Sequence, residues 1–96
     1  MVFILMPIRV HLNIQGRVQG VCFRHYCRAR AQKLGVKGIV RNNFDGSVDV
    51  IAEGEEKAVR DFIVWCRRGP PLAVVRSCEE NIEAPTGEFD SFSIAF

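Results

Sequence analysis

Between Ile8 and Gln15 the chain alternates. Ile8, Val10, Leu12 and Ile14 are apolar; Arg9, His11, Asn13 and Gln15 are polar. A two-residue period puts one set on each face of a strand, so this segment belongs to a sheet that is dry on one side and wet on the other. The dry face needs a cover. From Phe23 the period lengthens, and Phe23, Cys27, Arg30/Ala31 and Leu34 fall on one side of a helix that Gly35 closes. That helix is also apolar along a single stripe. Sheet and helix therefore complete one another, and the fold follows from how the pattern recurs.

Val36 to Arg41 reads as a second strand. Asn42-Asn43-Phe44-Asp45-Gly46 is turn chemistry with an Asp-Gly hairpin signal, and Ser47 to Glu53 is the returning strand, with Val48, Val50 and Ala52 on one face. Gly54 breaks it. Glu55 and Glu56 suit a helix N-terminus, Val59, Phe62, Ile63 and Cys66 form an apolar stripe, Arg67 and Arg68 suit the C-terminus, and Gly69-Pro70-Pro71 stops the helix. Ala73 to Ile82 is a fourth strand, Pro85-Thr86-Gly87 a turn, and Phe92, Ile94 and Phe96 alternate in a short final strand. The order β-α-β-β-α-β plus that strand predicts an α+β, ferredoxin-like sandwich: a mainly antiparallel sheet of four to five strands with two helices on one face.

The 96 residues make one domain, 1–96, with residues 1–7 a loose lead-in or an upstream extension of the first strand. Val2-Phe3-Ile4-Leu5-Met6 is ended by Pro7, too short for a secretory core or a membrane span. A net charge of +2 is too weak to argue for nucleic acid or an anionic membrane. Neither the first strand nor Ser47 to Glu53 displays the aromatics of an RNA-recognition sheet. Cys22, Cys27, Cys66 and Cys78 form no CxxC pair, which disfavours a metallochaperone. They read as free thiols of a cytoplasmic protein, and a monomer is the expectation for so small a domain.

The segment between the first strand and the first helix, GRVQGVCFR (Gly16 to Arg24), is the most informative. The first N–H groups of a helix have no internal partner and carry partial positive charge. Gly16 and Gly20 let neighbouring N–H groups converge as an anion nest, and Arg24 reaches back from the first helical turn with a fork suited to two phosphoryl oxygens. From spacing alone this is either a phosphate cradle or an ordinary strand-to-helix turn. The triphosphate loop GxxxxGK[ST] and the dinucleotide fingerprint GxGxxG are both absent.

The whole run GRVQGVCFR resembles the signature of the acylphosphatase family. So does a second run at matching separation, GIVRNNFDGSV (Gly38 to Val48), and GPPLAVV after the second helix looks similar too. The resemblance covers about Arg9 to Phe96. It implies an enzyme that hydrolyses acyl phosphates, small molecules, to a carboxylate and inorganic phosphate, with the product an inhibitor and no metal or cofactor. Arg24 takes the place of the family's arginine and Asn42 that of its asparagine, with Arg24 holding the phosphoryl group and Asn42 orienting water. Gly16, Arg17, Val18, Gln19, Gly20, Val21 and Cys22 take the place of the phosphate-binding loop. Ile39 departs from the usual aromatic, and Cys22 stands where glycine is frequent. The sequence alone does not rank Asn42 above Asn43; the family pattern selects Asn42.

Other chemistry-bearing residues read as bystanders. His25 and His11 are surface residues, Arg28, Arg30, Arg67 and Arg68 coat helices, and Asp45 and Asp49 hint only faintly at a metal. Cys22 as a nucleophile lacks a base beside it. The rival reading is a non-catalytic, acyl-phosphate- or anion-binding module on the same fold.

Overall fold

The computed structural model describes residues 6–96; of the lead-in expected at residues 1–7, residues 1–5 lie outside them, and Pro7 already belongs to the first strand. The elements are β1 (Pro7–Arg17), α1 (Phe23–Leu34), β2 (Lys37–Asn42), β3 (Val48–Glu55), α2 (Glu56–Arg68), β4 (Val74–Glu83) and β5 (Phe92–Ile94). They form a five-stranded sheet in the order β4-β1-β3-β2-β5, antiparallel except where β5 runs parallel to β2. The ferredoxin-like sandwich is the observed fold, with a mixed rather than purely antiparallel sheet.

Register explains the two faces. Val10 pairs with Ala52, Leu12 with Val50 and Ile14 with Val48, and all six are buried in one core with Phe23, Cys27 and Ala31 of α1 and Val59, Phe62, Ile63 and Cys66 of α2. Trp65, absent from the stripe read in the sequence, joins this core and lies 5.7 Å from the Phe23 ring, centroid to centroid. The intervening pairs, Arg9 with Glu53 and Asn13 with Asp49, face away from the helices. Cys27 and Cys66 are buried neighbours, and burial together with Cys27 pushes the Cys66 thiol up; all four cysteines are free.

Several boundaries differ from expectation. β1 starts at Pro7, a first-residue position where its missing N–H costs no ladder bond, and runs past a bulge at Gln15/Gly16 to Arg17, which pairs with Val74. Gly54 does not break β3: it pairs with Ile8, and the strand ends at Glu55. β5 ends at Ile94, leaving Phe96 outside it and fully exposed. Gly35 closes α1 as expected, in a left-handed conformation with Val36 N–H donating to the Ala31 carbonyl at 2.9 Å.

The open face carries one dense polar cluster. Glu53 accepts from the Gly87 N–H at 2.9 Å, the Thr86 hydroxyl at 2.8 Å and the Arg9 guanidinium, which also pairs with Glu83 and Glu88 and lies over the Phe89 ring. The cluster straps the segment after β4 onto the sheet. Burial raises the Glu53 pKa, but the bonds from Gly87, Thr86 and Arg9 outweigh it and hold the carboxyl at about 2, below its ordinary 4.5. A depressed carboxylate pKa stabilises the fold above the unfolded value and loses that contribution as pH falls toward the folded one. Glu53→Gln is therefore expected to cost about 2 kcal/mol at pH 7. In urea melts the gap from wild type closes between pH 4.5 and about 2; a gap unchanged with pH would refute the assignment.

Candidate active site

One end of the sheet brings the two sequence signatures together. The segment after β1, the start of α1 and the end of β2 enclose a cavity of about 290 Å³ lined by Val18, Gln19, Gly20, Cys22, Phe23, Arg24, His25 and Asn42. Arg24 comes from the first turn of α1, whose first turn holds no acidic residue. Asn42 is the last residue of β2, paired with Val48 and so on the helix side of the sheet, one step past the core residue Val40.

The segment between them is a donor surface. Among the described residues, the backbone N–H groups of Gln19, Gly20, Val21 and Cys22 donate to no protein acceptor. Gly20 at φ 76° and Cys22 at φ 59° turn the chain so that consecutive N–H groups share a concave side. Val18 and Val21 are buried and pin the segment to the core from beneath. Gln19 braces it from the side, its Nε2 donating to the Asn43 carbonyl at 2.8 Å and the Ser47 carbonyl at 2.9 Å. That brace sets the distance between the nest and the β2–β3 hairpin, hence between the nest and Asn42.

Gly16 and Arg17, read as part of this loop, lie instead in β1, because ladder pairing with β4 continues past the bulge. Gly16 serves that close approach to β4. Of the run, Val18, Gln19, Gly20 and Cys22 line the cavity; Val21 supplies packing and an N–H.

The structure separates Asn42 from Asn43. The Asn43 amide donates to the Ser47 hydroxyl at 2.9 Å, the Ser47 hydroxyl donates to Asp45 at 2.6 Å, and the Asn43 N–H donates to the Ser47 carbonyl at 2.9 Å. Asn43 and Asp45 therefore build the hairpin, and the bonds from Ser47 hold the Asp45 carboxyl below its ordinary range. The Asn42 side chain has no hydrogen-bond partner among the described residues, and it borders the cavity.

Arg24 is held from the far side. Its Nη1 lies 3.4 Å from the Ala95 carbonyl and its guanidinium 5.1 Å from the Phe96 ring centroid, a cation–π distance. The sequence offered no signal for this contact, since alternation with Phe92 and Ile94 placed Phe96 in a strand. His25 is exposed at the cavity mouth. Among the described residues no group of three or more His, Cys, Asp or Glu stands together in a way that could hold a metal ion, and Asp45 is engaged by Ser47. The open-face Asp49 carboxyl is raised by burial but net lowered by bonds from Asn13 and Asn43.

Cys22 is the one non-glycine residue with positive φ among those described, at the N-cap of α1. A side chain in the left-handed region costs about 1–2 kcal/mol, partly offset if glycine replaces it by the greater freedom of the unfolded chain. Cys22→Gly is thus expected to raise stability by about 0.5–1 kcal/mol, read as a later urea midpoint. A lower midpoint would mean that the thiol makes a contact worth more than the strain.

The Acylphosphatase family profile matches residues 10–94. An acylphosphatase of Methylococcus capsulatus is 46% identical, over 90% of this chain and 94% of its own, and one of Chloroflexus aurantiacus is 47% identical, over 93% and 97%. The crystal structure of acylphosphatase from Bacillus subtilis superposes with a TM-score of 0.89 at 31% identity, covering 93% of this chain and 99% of that one.

Proposed function

The chain belongs to the acylphosphatase family and hydrolyses acyl phosphates to a carboxylate and inorganic phosphate, and we propose that the nest Gln19–Cys22, Arg24 and Asn42 carry out that reaction. The observation that supports it most is the convergence on one cavity of unpartnered backbone donors, an arginine and an unpartnered amide.

Phosphoryl transfer asks a protein mainly for positioning and charge stabilisation. The N–H groups of the nest and the Arg24 fork take the non-bridging oxygens of R–CO–O–PO₃²⁻. A cation in the first turn of a helix opposes the dipole by about 0.3–1 kcal/mol, a cost that a bound dianion offsets. Stacking against Phe96 and the Ala95 carbonyl fixes the fork before substrate arrives. The Asn42 amide orients a water in line with the P–O bond to the acyl oxygen. Water oxygen bonds to phosphorus, that P–O bond breaks, and the electron pair leaves with the carboxylate. One water proton passes to a phosphate oxygen, so the products are RCOO⁻ and H₂PO₄⁻. A carboxylate leaves readily, so no strong general acid is needed; the chemistry calls for neither a metal nor a cofactor. Inorganic phosphate resembles half of the substrate and inhibits from the same cradle. The reading extends to a monomer working in the cytoplasm, in keeping with four free thiols. Among the described residues no helix is long and apolar enough to cross a membrane.

The test is hydrolysis of benzoyl phosphate in EDTA, with inorganic phosphate as inhibitor. Wild type should turn over with EDTA present. Arg24→Ala should lose at least about 10²-fold in turnover and about tenfold in inhibition by phosphate. Folded wild type that binds phosphate without hydrolysing benzoyl phosphate would instead support an anion-binding module.

A further inference from the structure

The described residues also enclose a larger hollow, about 540 Å³, between α1 and the C-terminal end of α2. Tyr26 and Arg30 of α1 face Trp65 and Arg68 of α2 across it, and Gly69-Pro70-Pro71 closes one end. A shallower recess continues along α1 to Lys33. Tyr26, Arg30 and Lys33 stand four and three residues apart, the spacing that stacks side chains on one helix face. No residue lining this hollow is a carboxylate. Among the described residues Arg30, Lys33 and Arg68 form no ion pair, a state they share with Arg17, Arg24, Arg28, Lys37 and Arg76; what sets them apart is that all three border one concave space. Arg30 and Arg68, read from sequence as helix coating, therefore border a concave space with uncompensated charge.

The aromatic side is equally specific. Tyr26 is 51% exposed, so part of its ring is open to the hollow. Trp65 is 8% exposed and fixed by Phe23 and Phe62, so it offers a rigid edge. None of the residues lining the hollow lines the catalytic cavity; the two adjoin through the Phe23–Trp65 contact.

We propose that this hollow is a second ligand site, for a nucleoside polyphosphate. The base lies against Tyr26 and the open edge of Trp65, and the phosphates engage Arg30, Arg68 and Lys33. Arginine forks match phosphate oxygens in pairs, and aromatic faces accept any base. The volume lies within the range of small-molecule sites, about 300–1,000 Å³. A lone phosphate would leave the aromatic wall bare, and an uncharged ring would leave the cations uncompensated.

Trp65 is the chain's single tryptophan and reports from the site itself. The full chain is titrated with ATP in EDTA, following Trp65 fluorescence and, in parallel, the heat of binding. Saturable binding is expected. Arg30→Ala and Arg68→Ala should each raise Kd about tenfold or more, the loss of a charge-assisted hydrogen bond. Both variants should hydrolyse benzoyl phosphate at wild-type rates, which shows that they fold. Tyr26→Leu should weaken ATP while leaving tripolyphosphate unaffected. ATP binding that survives in Arg30→Ala and Arg68→Ala but disappears in Arg24→Ala would place the nucleotide in the catalytic cavity and overturn the proposal. So would the absence of both heat and fluorescence change. Tripolyphosphate binding as tightly as ATP would remove the nucleoside from the assignment.

Discussion

Asn42→Ala is expected to lower benzoyl phosphate turnover about 10²–10³-fold, the cost of removing one preorganised donor from a transition state. Inhibition by inorganic phosphate should stay within about twofold of wild type, because the charge on the phosphoryl group is met by Arg24 and the nest. The urea midpoint should not move, since the Asn42 amide has no partner among the described residues to lose. Asn43→Ala is the matched comparison. It deletes the amide bond to the Ser47 hydroxyl, inside the hairpin, and should cost about 1 kcal/mol of stability with a much smaller effect on turnover. The pair of variants thus separates water orientation from hairpin architecture at adjacent positions. Comparable activity losses in both would mean that hairpin geometry, and not the Asn42 amide, carries the rate. Phosphate affinity falling in step with turnover in Asn42→Ala would move Asn42 from the water to the cradle.

The contrast between those two asparagines marks where sequence reading stopped. Period two in β1 and β3 and the apolar stripes of both helices place the core, because burial enforces those periods and one-residue errors would invert a face. Both cavity-lining signature residues, Arg24 and Asn42, were legible, though through resemblance; spacing alone left a cradle and a plain turn open. What stayed hidden depends on contacts distant in sequence. Phe96 reaches Arg24 and Glu53 reaches Gly87 across many residues, and no local pattern encodes such meetings. Gly54 illustrates the reverse error: a glycine is tolerated inside β3 because the neighbouring Ile8 pairs with it, and tertiary pairing overrides local preference. The conformational freedom of Gly16 reads in the sequence as a loop property, whereas its φ of 136° serves the close approach to β4.

Gly38→Ala is expected to be the most destabilising small substitution in the domain. Gly38 lies in β2 with φ +150°, and an added Cβ would stand 1.8 Å from the Ile51 carbonyl oxygen and 3.0 Å from the Ala52 Cα. Those are backbone atoms of the adjacent strand, so no side chain can swing aside. Relief requires β2 and β3 to separate near the start of their ladder, where Gly38 pairs with Ala52. The cost should reach about 4 kcal/mol or more, a large share of the 5–15 kcal/mol typical of a domain. Gly16→Ala meets the same obstacle at the other edge, with its Cβ 2.0 Å from the Val74 carbonyl oxygen. There the strands that must part are β1 and β4, and β1 leads directly into the nest. Gly16→Ala should therefore lose phosphate binding in whatever fraction remains folded, whereas folded Gly38→Ala loses it only if β2 carries Asn42 and the hairpin brace away with it. Gly87→Ala is the control: its φ is +71° but no atom lies within 4 Å of the added Cβ, so strain alone acts, about 1–2 kcal/mol. Urea melts of the three variants decide the matter. If Gly38→Ala and Gly87→Ala melt together, backbone strain dominates and the steric contact with Ile51 contributes nothing. The expected separation of several kcal/mol would show that β2 is held in register, and Asn42 in place, by a strand approach that only an absent side chain permits.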